Sequence, residues 1–297
     1  MDVSDDFLQY IPQEILEICK DDQASRDLLL SFCHSSGAKP CPRCGNLKHY
    51  SLSGNRYRCS SCRYTFKDFS GRFINSGNLP PAGWIVILHL FIHSVPTGQA
   101  AKKLGVSYNT AFKAYHAIRF SILAKALDAD RFIGDRTGLL SFVKNGKLTG
   151  GPKSSFKRLP VYGIFRRHKW VFIDVVPQLD GATLYKRNKT HGVKLVAHGP
   201  VIHSDRYGEY DALLFCNDGS LDPDAIVEYE HATYVDRGDH EFWVFALPYF
   251  RKLKGLTPQR FPLYLKELEF KFNTTTSERF ETLLNYLCAF IPLPEDG

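Results

Sequence analysis

Four of the eight cysteines are spaced for chemistry: Cys41-Pro-Arg-Cys44 and Cys59-Ser-Ser-Cys62 repeat a C-x-x-C pattern across fourteen intervening residues. Each pair offers two thiolates to one ion, and two pairs close a tetrahedral sulfur set that suits zinc. A closed shell has no open coordination position, so such a site holds a fold together and performs no reaction. Disulfides or incidental thiols are the competing readings. Cys19, Cys33, Cys216 and Cys288 have no partner at such spacing and read as ordinary buried cysteines. Acids form the second set. "GDHEFW" places Asp239, His240 and Glu241 at the expected start of a helix, and Asp205 closes the short apolar run "PVIHSD". Carboxylates are the hard oxygen ligands that Mg²⁺ takes, whereas a histidine is a poor one. A solvated surface acid is the competing reading of Asp205, and a capping or packing residue that of His240.

These residues need elements to position them. "LKHYSLSGNRYR" alternates as a hairpin turning at Ser53-Gly54-Asn55, its exposed positions aromatic or basic, and "RYTFKDFSG" continues the pattern. "VPTGQAAKKLGVSYNTAFKAYHAIR" reads as two helices about a glycine turn: Thr97 caps the first, Gly105 ends it and Ser107 caps the second. Ala101, Leu104, Val106, Ala111 and Ala114 supply the contact between them. A plain helical hairpin is one reading. If the motif reads DNA, Tyr108, Asn109, Thr110 and Lys113 face outward near the start of the second helix. Leu159 to Arg166 and Trp170 to Val176 are β-rich runs joined by a basic turn. "PVIHSD" is a strand with Asp205 at its C-terminal edge, and "RYGEYDALLF" is expected to be helical. "PQRFPLYLKELEFKFN" is an amphipathic helix with Phe261, Leu265, Leu268 and Phe272 on one stripe.

With 297 residues and 44% hydrophobic content the chain can bury more than one core. Its longest apolar run, "WIVILHLFI", is far short of the ~20 residues that span a bilayer and reads as a buried helix. The acidic N-terminus lacks the basic start of a signal peptide, so a cytoplasmic location with reduced cysteines is expected. Charge is uneven. From Lys39 to Arg119 there are twelve Lys and Arg against one acid, Asp68, and from Lys144 to Lys169 eight against none. A single basic run is often a solvated face; two of them favour a polyanionic partner.

The order of ribbon, helix-turn-helix and mixed α/β region resembles the bacterial transposases of the insertion-sequence 1595 group. The resemblance is clearest in "RLPVYGIFRRHKWVFIDVVP", "VIHSDRYGEYDALL" and "FRKLKGLTPQRFPLYLKELEFKFN", and runs from about Lys39 to Asn273. It implies an α/β (α+β multidomain) chain: an N-terminal helical segment at 1–38, a zinc ribbon at 39–72, a helix-turn-helix region at 79–122, an RNase-H-like DDE core at 126–275, and a C-terminal helix and tail at 276–297. It further implies cleavage and transfer of DNA strands at element ends, structural Zn²⁺, and catalytic Mg²⁺ or Mn²⁺. Double-stranded DNA is the implied partner, with self-association on it, and the bacterial nucleoid the implied location.

Asp205 matches the second family acid in "HSDRYGEY". The first family block has the form D-E-x-Y-x-G-G, whereas this chain reads "LDADRFIGDR", which aligns Ala129 with the acid. Asp130, one residue on, keeps the shortest distance to the aromatic and glycine and takes the role by a register change or bulge. Counting back from Phe242-Trp243 aligns His240 with the third acid and leaves Glu241 one residue late, about 100° round a helix. The implied catalytic and Mg²⁺-binding set is thus Asp130, Asp205 and Glu241, with Lys153, Lys157, Arg158, Arg166 and Arg167 along the DNA path. The same departures leave a second reading open: a catalytically degenerate, transposase-derived DNA-binding protein.

Overall fold

The computed structural model describes residues 9–34, 37–76, 78–126, 160–167, 170–180, 195–198, 201–207, 210–215, 240–250 and 260–291. The chain is a mixture of helices and sheets, and it divides into two units: Met1–Lys125 with Thr276–Gly297, and Ala126–Thr275. Among the described residues no helix is long and apolar enough to cross a membrane.

The first unit is built round α3 (Pro81–Ile92), whose residues from Ala82 onward are all buried. A helix apolar on every side is stable only when neighbours enclose it. Here α1 (Gln13–Lys20), α2 (Asp22–Cys33), α4 (Thr97–Leu104), α5 (Tyr108–Lys125) and α8 (Thr276–Cys288) all pack against it. The start of α3 is set by Pro81 in the first helical turn, where a missing N–H costs nothing. Asp21 caps α2 by accepting from the Gln23 and Ala24 amides. His89 of α3 is buried and stacks on Phe280 of α8 with ring centroids 4.2 Å apart.

The ribbon is a three-stranded antiparallel sheet of β1 (His49–Leu52), β2 (Arg56–Cys59) and β3 (Thr65–Lys67), in that order. Gly54 and Asn55 turn the first hairpin with φ of 71° and 54°, the left-handed region that glycine and asparagine tolerate. Tyr57, Phe66, Cys41 and Cys59 form its small core, with His49 edge-on to Tyr57. Polar bonds tie it to the helices. Asp68, buried after β3, pairs with Arg26 of α2 and with Lys39 at 3.0 Å. Arg72 donates to the Cys288 carbonyl and lies 4.0 Å over the Phe290 ring.

In the second unit β4 (Pro160–Arg167), β5 (Trp170–Asp180), β6 (Leu195–His198), β7 (Val201–Tyr207) and β8 (Tyr210–Phe215) form one sheet in the order β5-β4-β8-β7-β6. Every pairing among these strands is antiparallel. The segment expected to be helical after Asp205 is therefore strand β8, which hydrogen-bonds β4 on one side and β7 on the other. Its apolar run "ALLF" fits a buried strand and a helix equally in the sequence, and pairing on both edges decides for the strand.

The β5 edge of this sheet is covered. α7 (Phe261–Asn273) turns polar side chains onto the backbone of β5: Asn273 accepts from the Val171 amide at 2.8 Å and donates to its carbonyl at 2.6 Å. Glu269 accepts from the Ile173 amide and Lys266 donates to the Ile173 carbonyl, both at 2.7 Å. The helix side chains thus stand in for a missing strand. On the apolar side of α7, Phe272 meets Phe242 and Phe245 of α6 (His240–Phe250), at 5.3 and 5.6 Å between ring centroids.

Candidate metal centre and nucleic-acid interface

The ribbon brings its four cysteines together as the spacing requires. The sulfur atoms of Cys41, Cys44, Cys59 and Cys62 all lie within 4.8 Å of one another. Cys41 to Cys62 and Cys44 to Cys59 are each 3.6 Å. Zinc–sulfur bonds of ~2.3 Å in a tetrahedron give sulfur–sulfur edges of ~3.8 Å, so the cage has the right size, whereas a disulfide needs ~2.05 Å. The knuckle backbone is folded for thiolates. The Gly45 amide donates to the Cys41 carbonyl at 2.9 Å, which closes the first knuckle, and the amides of Arg43 and Cys44 turn toward the Cys41 sulfur. Burial still pushes the Cys41 thiol up to about 12. Burial acts the same way on Cys59, where the amides of Cys62 and Ser61 and the facing thiols outweigh it and bring the group down to about 7. One thiol ready to ionise beside three close sulfurs is a set that a divalent zinc ion completes, and with every ligand a thiolate its role is structural.

Cys19, Cys33 and Cys288 are buried, as ordinary core cysteines are, and Cys216 lies outside the described residues.

The helix-turn-helix is formed by α4 and α5. Gly105 has φ 64°, its amide bonds the Lys102 carbonyl, and the Val106 amide reaches back to Ala101: the paired bonds of a Schellman stop. Ser107 caps α5 through the Thr110 amide at 3.1 Å. Thr97 does not cap α4; it is the first helical residue, and Pro96 takes the cap position with no side-chain bond. From Ala114 to Leu123 every residue of α5 is buried, so its exposed residues lie at its two ends. Tyr108, Asn109 and Lys113 are exposed there and Thr110 is half-buried.

The electrostatics of the basic region are sharper than its sequence. Its one acid, Asp68, is buried between two cations; burial works to raise the carboxyl, and Lys39 and Arg26 outweigh it and hold it below the usual carboxylate range. Arg72 and Arg119 are also buried. Arg43, Lys48, Arg56, Arg58, Arg63, Lys67, Lys102 and Lys113 are left at the surface with no exposed acid between Lys39 and Arg119 among the described residues. Strand register arranges part of this set. Tyr50 pairs with Arg58, which pairs with Thr65; Leu52 pairs with Arg56, which pairs with Lys67. All six are exposed, Tyr50 by 58%. The alternation of the hairpin carries this face in the sequence, and the register specifies its rows.

The acids are distributed as follows. Asp205 lies within β7, which continues to Tyr207, so it is not at the strand end. Pairing of β7 with β6 stops at Ser204, and its register with β8 shifts between Ser204 and Tyr207. Asp205 therefore occupies an irregularity in the β pairing. Glu241 is exposed in the first turn of α6, on a stripe with exposed Val244 and Pro248 and away from buried Phe242 and Ala246. Arg166 and Arg167 are opposite Val171 and Trp170 on β4. Asp130, Lys153, Lys157 and Arg158 lie outside the described residues.

Comparison with protein families finds two matches. Residues 20–65 match the transposase zinc-ribbon domain of the insertion-sequence 1595 group, reaching back beyond Lys39 into the helices before the ribbon. Residues 130–273 match the ISXO2-like transposase domain. Neither the comparison with curated proteins nor that with solved structures gives a match. Two family domains in the expected order, one of them carrying the four-thiol cage at its characteristic spacing, place this chain in the insertion-sequence 1595 family of transposases.

Proposed function

We propose that this protein is a DNA transposase that binds the ends of its mobile element and cleaves and joins DNA strands there in a metal-dependent reaction. The observation that carries this reading is the ISXO2-like transposase domain at 130–273 in one chain with the zinc ribbon. The core at 126–275 would be RNase-H-like, with Asp130, Asp205 and Glu241 as its acids. Their carboxylates suit a hard cation, and Glu241 is exposed at the start of its helix. Mg²⁺ or Mn²⁺ bound there supplies Lewis-acid activation of the attacking oxygen and stabilisation of the leaving one. The chain's own part is to hold the scissile phosphate. The ribbon cations and Lys113 hold the flanking backbone, Tyr108, Asn109 and Thr110 enter a groove, and Lys153, Lys157, Arg158, Arg166 and Arg167 line the path to the acids.

A second reading has its own observation: Ala129 and His240 stand where the family has acids, which is how a degenerate site retained for DNA binding would look. A strand-transfer assay separates the two. Labelled element-end DNA with a free 3′-hydroxyl, incubated with the protein, plasmid and Mg²⁺, should become joined to the plasmid, and a chelator should stop it. Tight binding of the ends with no joined product in Mg²⁺ or Mn²⁺ selects the degenerate reading.

A further inference from the structure

We infer that the outer face of the ribbon sheet is a platform for unpaired DNA bases, distinct from the duplex-reading helix α5. The inference rests on the DNA-binding reading above and specifies which form of DNA the ribbon takes. Two rows cross the sheet, Tyr50-Arg58-Thr65 and Leu52-Arg56-Lys67, each joined by direct cross-strand pairing. Directly opposed residues have Cβ atoms ~5 Å apart, so Tyr50 and Arg58 start from neighbouring points on the same face. Tyr50 is 58% exposed and Leu52 39%. The opposite face carries Tyr57 and Phe66 into the ribbon core, so the outer apolar groups contribute nothing to that core.

Charge selects the occupant. Arg56, Arg58 and Lys67 line the face, and the one acid of the basic region is buried with Arg26 and Lys39. A second copy of this face would oppose cation to cation. A polyanion fits, and the ring decides which: a duplex offers phosphates and groove edges to a flat sheet, whereas an unpaired strand also offers the π-faces of its bases. Aromatic side chains interleaved with cations are how single strands are held without sequence preference. In a strand-cutting protein, unpaired DNA arises at the element end, where the duplex must open.

The test is metal-free, so it stands apart from catalysis. Fluorescence anisotropy of the full chain with zinc present compares a single-stranded oligonucleotide, the same strand with abasic sites, and the corresponding duplex. Tyr50→Ala should weaken single-strand binding ~5- to 150-fold, the range of one lost base stack, with duplex affinity unchanged; Tyr50→Phe should retain binding; the abasic strand should not distinguish wild type from Tyr50→Ala. Unchanged zinc content confirms that each variant is folded. Equal weakening toward duplex and single strand, no effect of Tyr50→Ala, or displacement of the strand by polyglutamate of matched charge would each overturn the inference. If the chain binds no DNA of either form, the functional reading fails first.

Discussion

His89 gives the first unit a pH limit whose size follows from its surroundings. It sits in the fully enclosed helix α3, stacked on Phe280, and burial, with His93 nearby, lowers it from the ordinary histidine value to about 4. The unfolded chain takes up the proton near pH 6.5, and each unit of difference is worth ~1.36 kcal/mol. A group depressed on folding contributes stability that is present above its unfolded value and lost as pH falls toward its folded one. Stability should therefore fall between about pH 6.5 and 4, by ~3 kcal/mol in all and ~2 kcal/mol between pH 7 and 5. His34, also lowered by burial and by Arg72, adds to the slope in the same direction, so a variant must isolate His89. His89→Phe suits the apolar site and cannot titrate. Urea unfolding is followed by Trp84 fluorescence in a chain with Trp170→Phe and Trp243→Phe, which leaves one reporter, in α3. The difference between the pH 7 and pH 5 stabilities should shrink by ~2 kcal/mol in His89→Phe. An unchanged slope would mean that His89 is not enclosed as a neutral ring, and the packing of α3 described above would be wrong.

Three further expectations concern the elements that hold the sites. Gly71 has φ 75°, and a Cβ there would meet Pro42 at 2.7 Å, whereas Gly105 has φ 64° and open space. Gly105→Ala should thus cost only the left-handed penalty of ~1–2 kcal/mol; Gly71→Ala should cost more and speed zinc loss to a chelator, which equal unfolding midpoints would contradict. Asn273→Ala leaves the Val171 amide and carbonyl unpartnered at the sheet edge; it should cost ~1–3 kcal/mol and raise hydrogen exchange at Val171, and unchanged protection there would refute the edge clamp. Elemental analysis should find about one zinc per chain in wild type and a large loss in Cys41→Ser; full retention would rule out the four-thiol site.

What the sequence made legible was local. The C-x-x-C pairs, the Gly54-Asn55 turn, the Gly105 stop and the Ser107 cap each act within a few residues, and each appears as expected. What it hid was made by distant partners. Asp68 counts in the sequence only as the one acid of a basic region, because its partner Arg26 is 42 residues away. Lys266, Glu269 and Asn273 belong to the polar side of an amphipathic helix, yet they serve the backbone of a strand about a hundred residues earlier. Strand β8 was read as a helix because a short apolar run has no period of its own. Asp205 shows both sides: its motif was plain, but the loss of β6 pairing and the register shift around it are properties of three strands together.

Single-turnover cleavage of element-end duplex decides whether this chain cuts DNA through Asp205. Wild type and Asp205→Ala are compared in Mg²⁺ at matched DNA occupancy. Wild type should cleave, and Asp205→Ala should be at least ~100-fold slower with binding retained, roughly the effect of removing a charge-stabilising group from the reacting centre. Equal rates in the two proteins, or no cleavage by wild type at full occupancy, would contradict it.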